Sequence, residues 1–187
     1  MKEDFESIKK NYETYWTNPI TNETSTIEVT AATSEQQQQD MKQYGIDISK
    51  MLDNAARKEL EQMSERKTLD TIKEYAVENN QCAECTVSKA KATADDIYAP
   101  IKDLVIKCKR PVIYTNIMVV NLLHESLTET VDFQHGGGSY CVGNYKFNDK
   151  ATLEIYCNPL MPASETEALV YDQDDPKKSL FMKYTLK

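Results

Sequence analysis

Apolar positions along the chain follow two different periods. From Ile48 to Ala76 they recur every three or four residues, at Ile48, Met51, Leu52, Ala55, Ala56, Leu60 and Met63, then at Leu69, Ile72, Tyr75 and Ala76. That is the spacing of one helix face, and no Gly or Pro interrupts it. At 1.5 Å per residue, a helix of roughly 30 residues is a rod of about 45 Å. Asp47 stands where its side chain can accept the orphan amides of the first turn. The stripe keeps no clean heptad, so it predicts the backbone of a domain rather than a coiled coil. A shorter helix is predicted before it, capped by Thr33 or Ser34, running to about Tyr44 and closed by Gly45.

Elsewhere the period drops to two. Residues 1–30 are polar and mixed, Thr17–Ser25 is turn-rich, and Thr26–Thr30 alternates with Ile27 and Val29 on one face, which predicts a short strand. Residues 79–93 read as a polar connection. Thr93 or Asp95 opens a third helix through Ile106, with Pro100 near its first turn or kinking it, and Pro111 stops it. Val112–Thr115 predicts a compact strand, Asn116 ends it, and Ile117–Leu127 predicts a fourth helix. Phe133–Ser139, which holds Gly136, Gly137 and Gly138, predicts a flexible loop. Strands are then predicted at Tyr140–Phe147, Ala151–Cys157, Ala168–Tyr171 and Leu180–Leu186. Helices mostly first and strands mostly last make an α+β pattern.

Composition narrows the function classes. The chain has 187 residues, and 22 Lys+Arg against 30 Asp+Glu gives a net charge of −8. That balance lacks the basic footprint of a nucleic-acid reader. The longest apolar stretch, Ile117–Leu123, is broken by Asn121 and falls far short of the roughly 20 residues that span a bilayer. Met1–Lys10 has no apolar run of the secretory type, so the five Cys (82, 85, 108, 141 and 157) are expected to be free thiols in a reducing compartment.

Four groups of residues could carry chemistry. Cys82 and Cys85 form a CxxC, a spacing that can chelate a soft metal or form a redox pair. A zinc site needs two further ligands, and no second CxxC or HxxxH exists, so two incidental thiols are the expectation. His124 lies in an apolar helical stretch beside Glu125, and His135 precedes the glycine run; neither has a recognisable nucleophile partner. Gly136–Gly138 could cradle a phosphate but matches no phosphate-binding pattern, and a hinge or loop tip is expected. Asp172, Asp174 and Asp175 lack the spacing and terminal Glu of an EF-hand, so a solvated turn before Pro176 is expected. No catalytic, cofactor-binding or metal-binding residue is assigned.

Three collinear stretches carry a resemblance. Ile27–Ala76 presents a strand, the turn Ala31–Ser34, a short helix with the pair Gln39–Asp40, the turn Gly45–Asp47 and the long helix Ile48–Ala76. Cys108–Leu123 (CKRPVIYTNIMVVNLL) presents a basic turn, a strand, a polar junction and a helix. Gly143–Pro159 (GNYKFNDKATLEIYCNP) presents a hairpin strand ending in Tyr-Cys-Asn-Pro, and Leu180–Leu186 a closing strand. Together they resemble the major capsid proteins of T4-type tailed phages over roughly two thirds of the chain.

The resemblance implies the HK97-like capsid fold: a long spine helix, short helices and a mixed, mostly antiparallel sheet. It implies residues 1–79 as an extended segment and peripheral lobe, and 80–187 as an axial lobe with closing strands. It also implies a structural virion protein, not an enzyme, that self-assembles into a shell enclosing DNA without reading its sequence. Its partners would be copies of itself and other head proteins, with no membrane, cofactor or small-molecule substrate; it would assemble in the host cytoplasm. Residues 1–26, the Phe133–Ser139 loop and the Pro159–Glu165 turn are the contact surfaces so implied. The chain is short for the family, so a minimal shell protein, part of a larger subunit, or a relative with another task in the virion is implied. The alternatives are another head or tail interaction protein, an encapsulin-like shell, or a small thiol- or metal-dependent enzyme using Cys82 and Cys85.

Overall fold

A computed structural model describes residues 8–88, 94–116, 119–120, 134–135, 140–148, 151–157 and 166–187. In chain order the elements are β1 (Ile8–Thr17), β2 (Thr24–Thr33), α1 (Glu35–Gln43), α2 (Ile48–Glu78), β3 (Cys82–Val87), α3 (Ala94–Lys107), β4 (Pro111–Thr115), β5 (Gln134–His135), β6 (Tyr140–Asn148), β7 (Ala151–Cys157), β8 (Thr166–Asp172) and β9 (Ser179–Leu186). The fold is α+β, with three helices and two sheets among the described residues. Contacts divide the chain into two compact units, one of residues 1–18 and 22–65, the other of residues 19–21 and 66–187. The division falls inside α2, which gives its first half to one unit and its second half to the other.

The first unit is built on the β1–β2 hairpin. Its ten-residue strands pair in unbroken antiparallel register from Ile8↔Thr33 to Thr17↔Thr24. Side chains alternate across the pleat, so Trp16 and Ile27 are buried on one face while Lys9, Glu13 and Tyr15 face solvent on the other. Ser34 caps α1 in a capping box: its hydroxyl accepts from the Gln37 amide, and the Gln37 side chain accepts from the Ser34 amide. Gly45 closes the turn with φ of 69°, a left-handed conformation that suits glycine. Asp47 Oδ1 accepts from the Lys50 amide at 3.1 Å and starts α2. Leu52 and Ala56 are the buried residues of α2 in this unit.

The second unit is a seven-stranded sheet in the order β3-β9-β8-β4-β7-β6-β5. The β3–β9 and β4–β7 pairs are parallel and the other four antiparallel, so the sheet is mixed and mostly antiparallel. Both faces are covered, which is why β8 is buried along its whole length. On one face Ile97, Ile101 and Val105 of α3 meet Ile113, Ile155, Val170 and Met182. On the other, Leu69, Ile72 and Ala76 of α2 meet Val112, Leu169, Tyr171 and Phe181. The α2 stripe thus continues at the predicted 3–4 spacing onto the sheet. Pro100 lies in the interior of α3 rather than near its first turn.

Three local expectations need correction. The polar connection expected at 79–93 contains β3, because parallel pairing with the apolar β9 holds a strand that few apolar residues of its own would specify. The polar stretch before Thr17 is β1, which alternates with Lys and Asn where an apolar pattern would show it. Within the loop expected at Phe133–Ser139, Gln134 and His135 form a short strand against Tyr140 and Cys141. Most of the fourth helix expected at Ile117–Leu127 lies outside the described residues, though Val119 and Val120 are helical and buried behind Asn116, whose Oδ1 accepts from the Val119 amide.

Candidate functional site

Extended backbone decides the fate of the CxxC. Cys82 and Cys85 stand three positions apart on β3, so their side chains point to opposite faces of the sheet. At about 3.3 Å per residue their Cα atoms are roughly 10 Å apart, beyond the 7 Å limit of a disulfide. Cys85 is half-buried and packs on the α3 side, while Cys82 is exposed on the α2 side. Both are free thiols, as are the buried Cys108 and Cys157. Burial, then the charge of Asp172, pushes the Cys108 thiol up to about 11, so it stays protonated near neutrality.

The acidic segment after β8 is a structural clasp. Asp172 is fully buried. Its Oδ2 accepts from the Lys109 amide at 3.0 Å, and its Oδ1 accepts from the Arg110 and Asp174 amides at 3.1 Å each. Burial alone would raise its pKa, but these three amides and Lys178 outweigh that and hold the carboxyl below its ordinary value. Arg110 reaches Asp174 at 3.2 Å and also bonds the Gln173 carboxamide. The clasp ties the α3–β4 turn to the β8–β9 turn. Asp174 and Asp175 are exposed, as expected of a solvated turn, whereas the buried Asp172 is not.

His124 and Gly136–Gly138 lie outside the described residues, as does the side chain of His135. Among the described residues no group of three or more His, Cys, Asp or Glu is placed to hold a metal. No described helix is long and apolar enough to cross a membrane.

The α2-facing side of the sheet carries two features that the sequence did not flag. One is a stack of Tyr114 with Tyr156, ring centroids 4.8 Å apart, and with Tyr171 at 6.0 Å. The other is a cavity of about 530 Å³ beside β3, lined by Lys73, Val77, Cys82, Glu84, Phe181 and Lys183 together with Ala83 and Glu167. Glu167 is buried, and Lys73 reaches it at 3.3 Å while lying 4.4 Å from the centre of the Phe181 ring. Nothing local announces Glu167, since it sits in a buried strand where only the register against Lys183 and the approach of α2 supply its cation. The cavity opens at a sheet edge, because β3 has a neighbour only on its β9 side among the described residues.

No protein-family model matches the chain, and no curated protein matches it.

Proposed function

We propose that the chain is a structural subunit that assembles with copies of itself into a phage-type head shell, built on an HK97-like capsid fold. The observation that carries this reading is the run from a long two-stranded hairpin, through a capped short helix, to the 31-residue α2 shared by two compact units. From β2 onward this run has the element order that the sequence resemblance implies, and β1 is an addition to it. The composition of the first unit supports the same reading. Among the described residues its hairpin forms a sheet of two strands, and an isolated hairpin is marginal in water. Among its described residues, Trp16, Ile27, Leu52 and Ala56 are the buried apolar side chains, a small core. Contact with a neighbouring subunit would supply the missing burial, and the heterologous contacts of a ring do so at every subunit. Shell contacts of this kind bury at least about 1,000 Å².

Such a subunit works by edge complementarity and not by turnover. Its net charge of −8 limits adhesion to enclosed phosphates. Sedimentation velocity and negative-stain electron microscopy of the purified chain test the reading. Rings or closed particles of many subunits are expected. A species of 21.4 kDa that persists at high concentration and captures no head protein would overturn it.

A further inference from the structure

The packing of α2 leaves open space at one end of the sheet. Leu69, Ile72 and Ala76 press on β4, β8 and β9, but the side chains that β3 turns toward the same face, Cys82 and Glu84, are both exposed. The cavity of about 530 Å³ lies there, wholly inside the second unit. Small-molecule sites run from about 300 to 1,000 Å³. The lining has an order. Phe181 and Val77, the latter apolar yet 46% exposed, supply apolar wall. Toward the middle of the sheet, Lys73 and the buried Glu167 are held by each other. Toward its edge stand Glu84 and Lys183, register partners on β3 and β9. Both are exposed, and neither side chain makes an ion pair or hydrogen bond to a described residue.

We infer that the cavity binds a free apolar α-amino acid, with its ammonium on Glu84, its carboxylate on Lys183 and its side chain between Val77 and Phe181. Charge complementarity selects this class. The two lysines and two glutamates of the lining sum to zero, so a simple cation or anion finds no excess to attract it. With Lys73 and Glu167 engaged, the remaining pair offers one charge of each sign on strands about 4.8 Å apart. A zwitterionic head needs both signs at such a spacing, and its contacts are charge-assisted hydrogen bonds, the stronger class. An exposed Glu–Lys pair gains little from its own contact, so a head that bonds both displaces little. A chain terminus bears only one of the two charges, which favours the free amino acid over a peptide end. Removing the ligand's apolar side chain from water against Val77 and Phe181 supplies the driving force that the head alone lacks. The site does not depend on the shell reading above.

Titration calorimetry of the full chain with L-leucine tests this. Glycine, 4-methylpentanoate and 3-methylbutylammonium serve as controls that lack the side chain, the ammonium and the carboxylate in turn. Leucine is expected to bind at least tenfold more tightly than each of them. Glu84→Gln and Lys183→Gln are each expected to weaken leucine at least tenfold and, because both side chains are exposed, to leave the melting temperature of the free chain unchanged. Cys82 lines the cavity and locates the ligand: saturating leucine is expected to slow its modification by iodoacetamide at least fivefold. Neither heat nor a rise in melting temperature at ~10 mM leucine would overturn the site. So would equal binding of a single-charge analogue, wild-type affinity in both variants, or a Cys82 that reacts at the same rate with leucine bound.

Discussion

Replacing Asp172 by Asn keeps the shape of the side chain and removes its charge, which isolates what the carboxylate does in the clasp. The carboxylate accepts three amides within 3.0–3.1 Å at a site sealed from solvent. Asparagine keeps one oxygen for Arg110 and Asp174, but its NH₂ then faces the Lys109 amide, donor against donor. A hydrogen bond to a charged group contributes about 1.5–3 kcal/mol net, and a buried donor left without an acceptor costs a further ~1–3 kcal/mol. The expected destabilisation at pH 7 is therefore about 3 kcal/mol. Its pH dependence has a definite sign. The folded state holds the Asp172 carboxyl below the ordinary value of 3.8. Its contribution is complete above that value and disappears as the pH falls through the lowered folded one. The gap between wild type and variant should thus be constant near neutrality and shrink below about pH 4.

Urea titration followed by far-UV circular dichroism measures this at pH 7 and pH 3. Trp16 is the one tryptophan of the chain and lies in the first unit, so its fluorescence reports the other half of the molecule and serves as a control. Hydrogen exchange at the Lys109 amide should accelerate in the variant by the factor that the free-energy change sets locally. A gap under 1 kcal/mol at pH 7, or one that stays undiminished at pH 3, would refute the reasoning.

Other perturbations follow from the same geometry. Lys73→Ala strands the buried Glu167 carboxylate; because Lys73 is 39% exposed, the expected cost is about 2 kcal/mol by urea titration, below the 3–5 kcal/mol of a fully buried pair, and adding Glu167→Gln should recover part of it. Ile72→Ala opens a cavity between α2 and the sheet and should cost about 2–5 kcal/mol, read by the same titration. Gly45→Ala meets no atom within 4 Å, so only its backbone conformation resists, and a loss of about 1 kcal/mol is expected in thermal melts. Iodoacetamide should modify Cys82 in the native chain and leave Cys108 and Cys157 untouched until urea exposes them; peptide mapping that finds Cys108 keeping pace with Cys82 would contradict the raised thiol.

Legibility in the sequence tracked how much each element depends on its own residues. The α2 helix, the Ser34 cap, the Gly45 turn and the β7 bounds were readable because apolar period, capping oxygen or glycine freedom are written locally. β3 was not, since only Cys85 and Val87 turn toward the α3-side core, and its partner β9 is nearly a hundred residues away. β1 was hidden for a related reason. Its inward face is Ile8, Lys10, Tyr12, Thr14 and Trp16, and Lys10 and Tyr12 are placed by Asp53, which Tyr12 reaches at 2.5 Å, rather than by an apolar core. The CxxC was legible as a motif and misleading as chemistry, because the helix-versus-strand state of four residues decides whether two thiols can meet.

The three strands that the sequence concealed, β1, β3 and β5, each have an edge with no strand paired to it among the described residues, and the coincidence has a physical cause. A strand fully paired and covered on both faces carries a run of apolar residues, as β8 does from Ala168 to Tyr171, and so announces itself. A strand that leaves one ladder open must stay polar enough to be soluble before its partner arrives, so its pattern is diluted by Lys, Asn, Glu and Thr. In a chain read as an assembling subunit, polar strands of this sort are where contact surfaces belong. Weak patterning in β1 and β3 is then a consequence of the same demand that leaves their edges free.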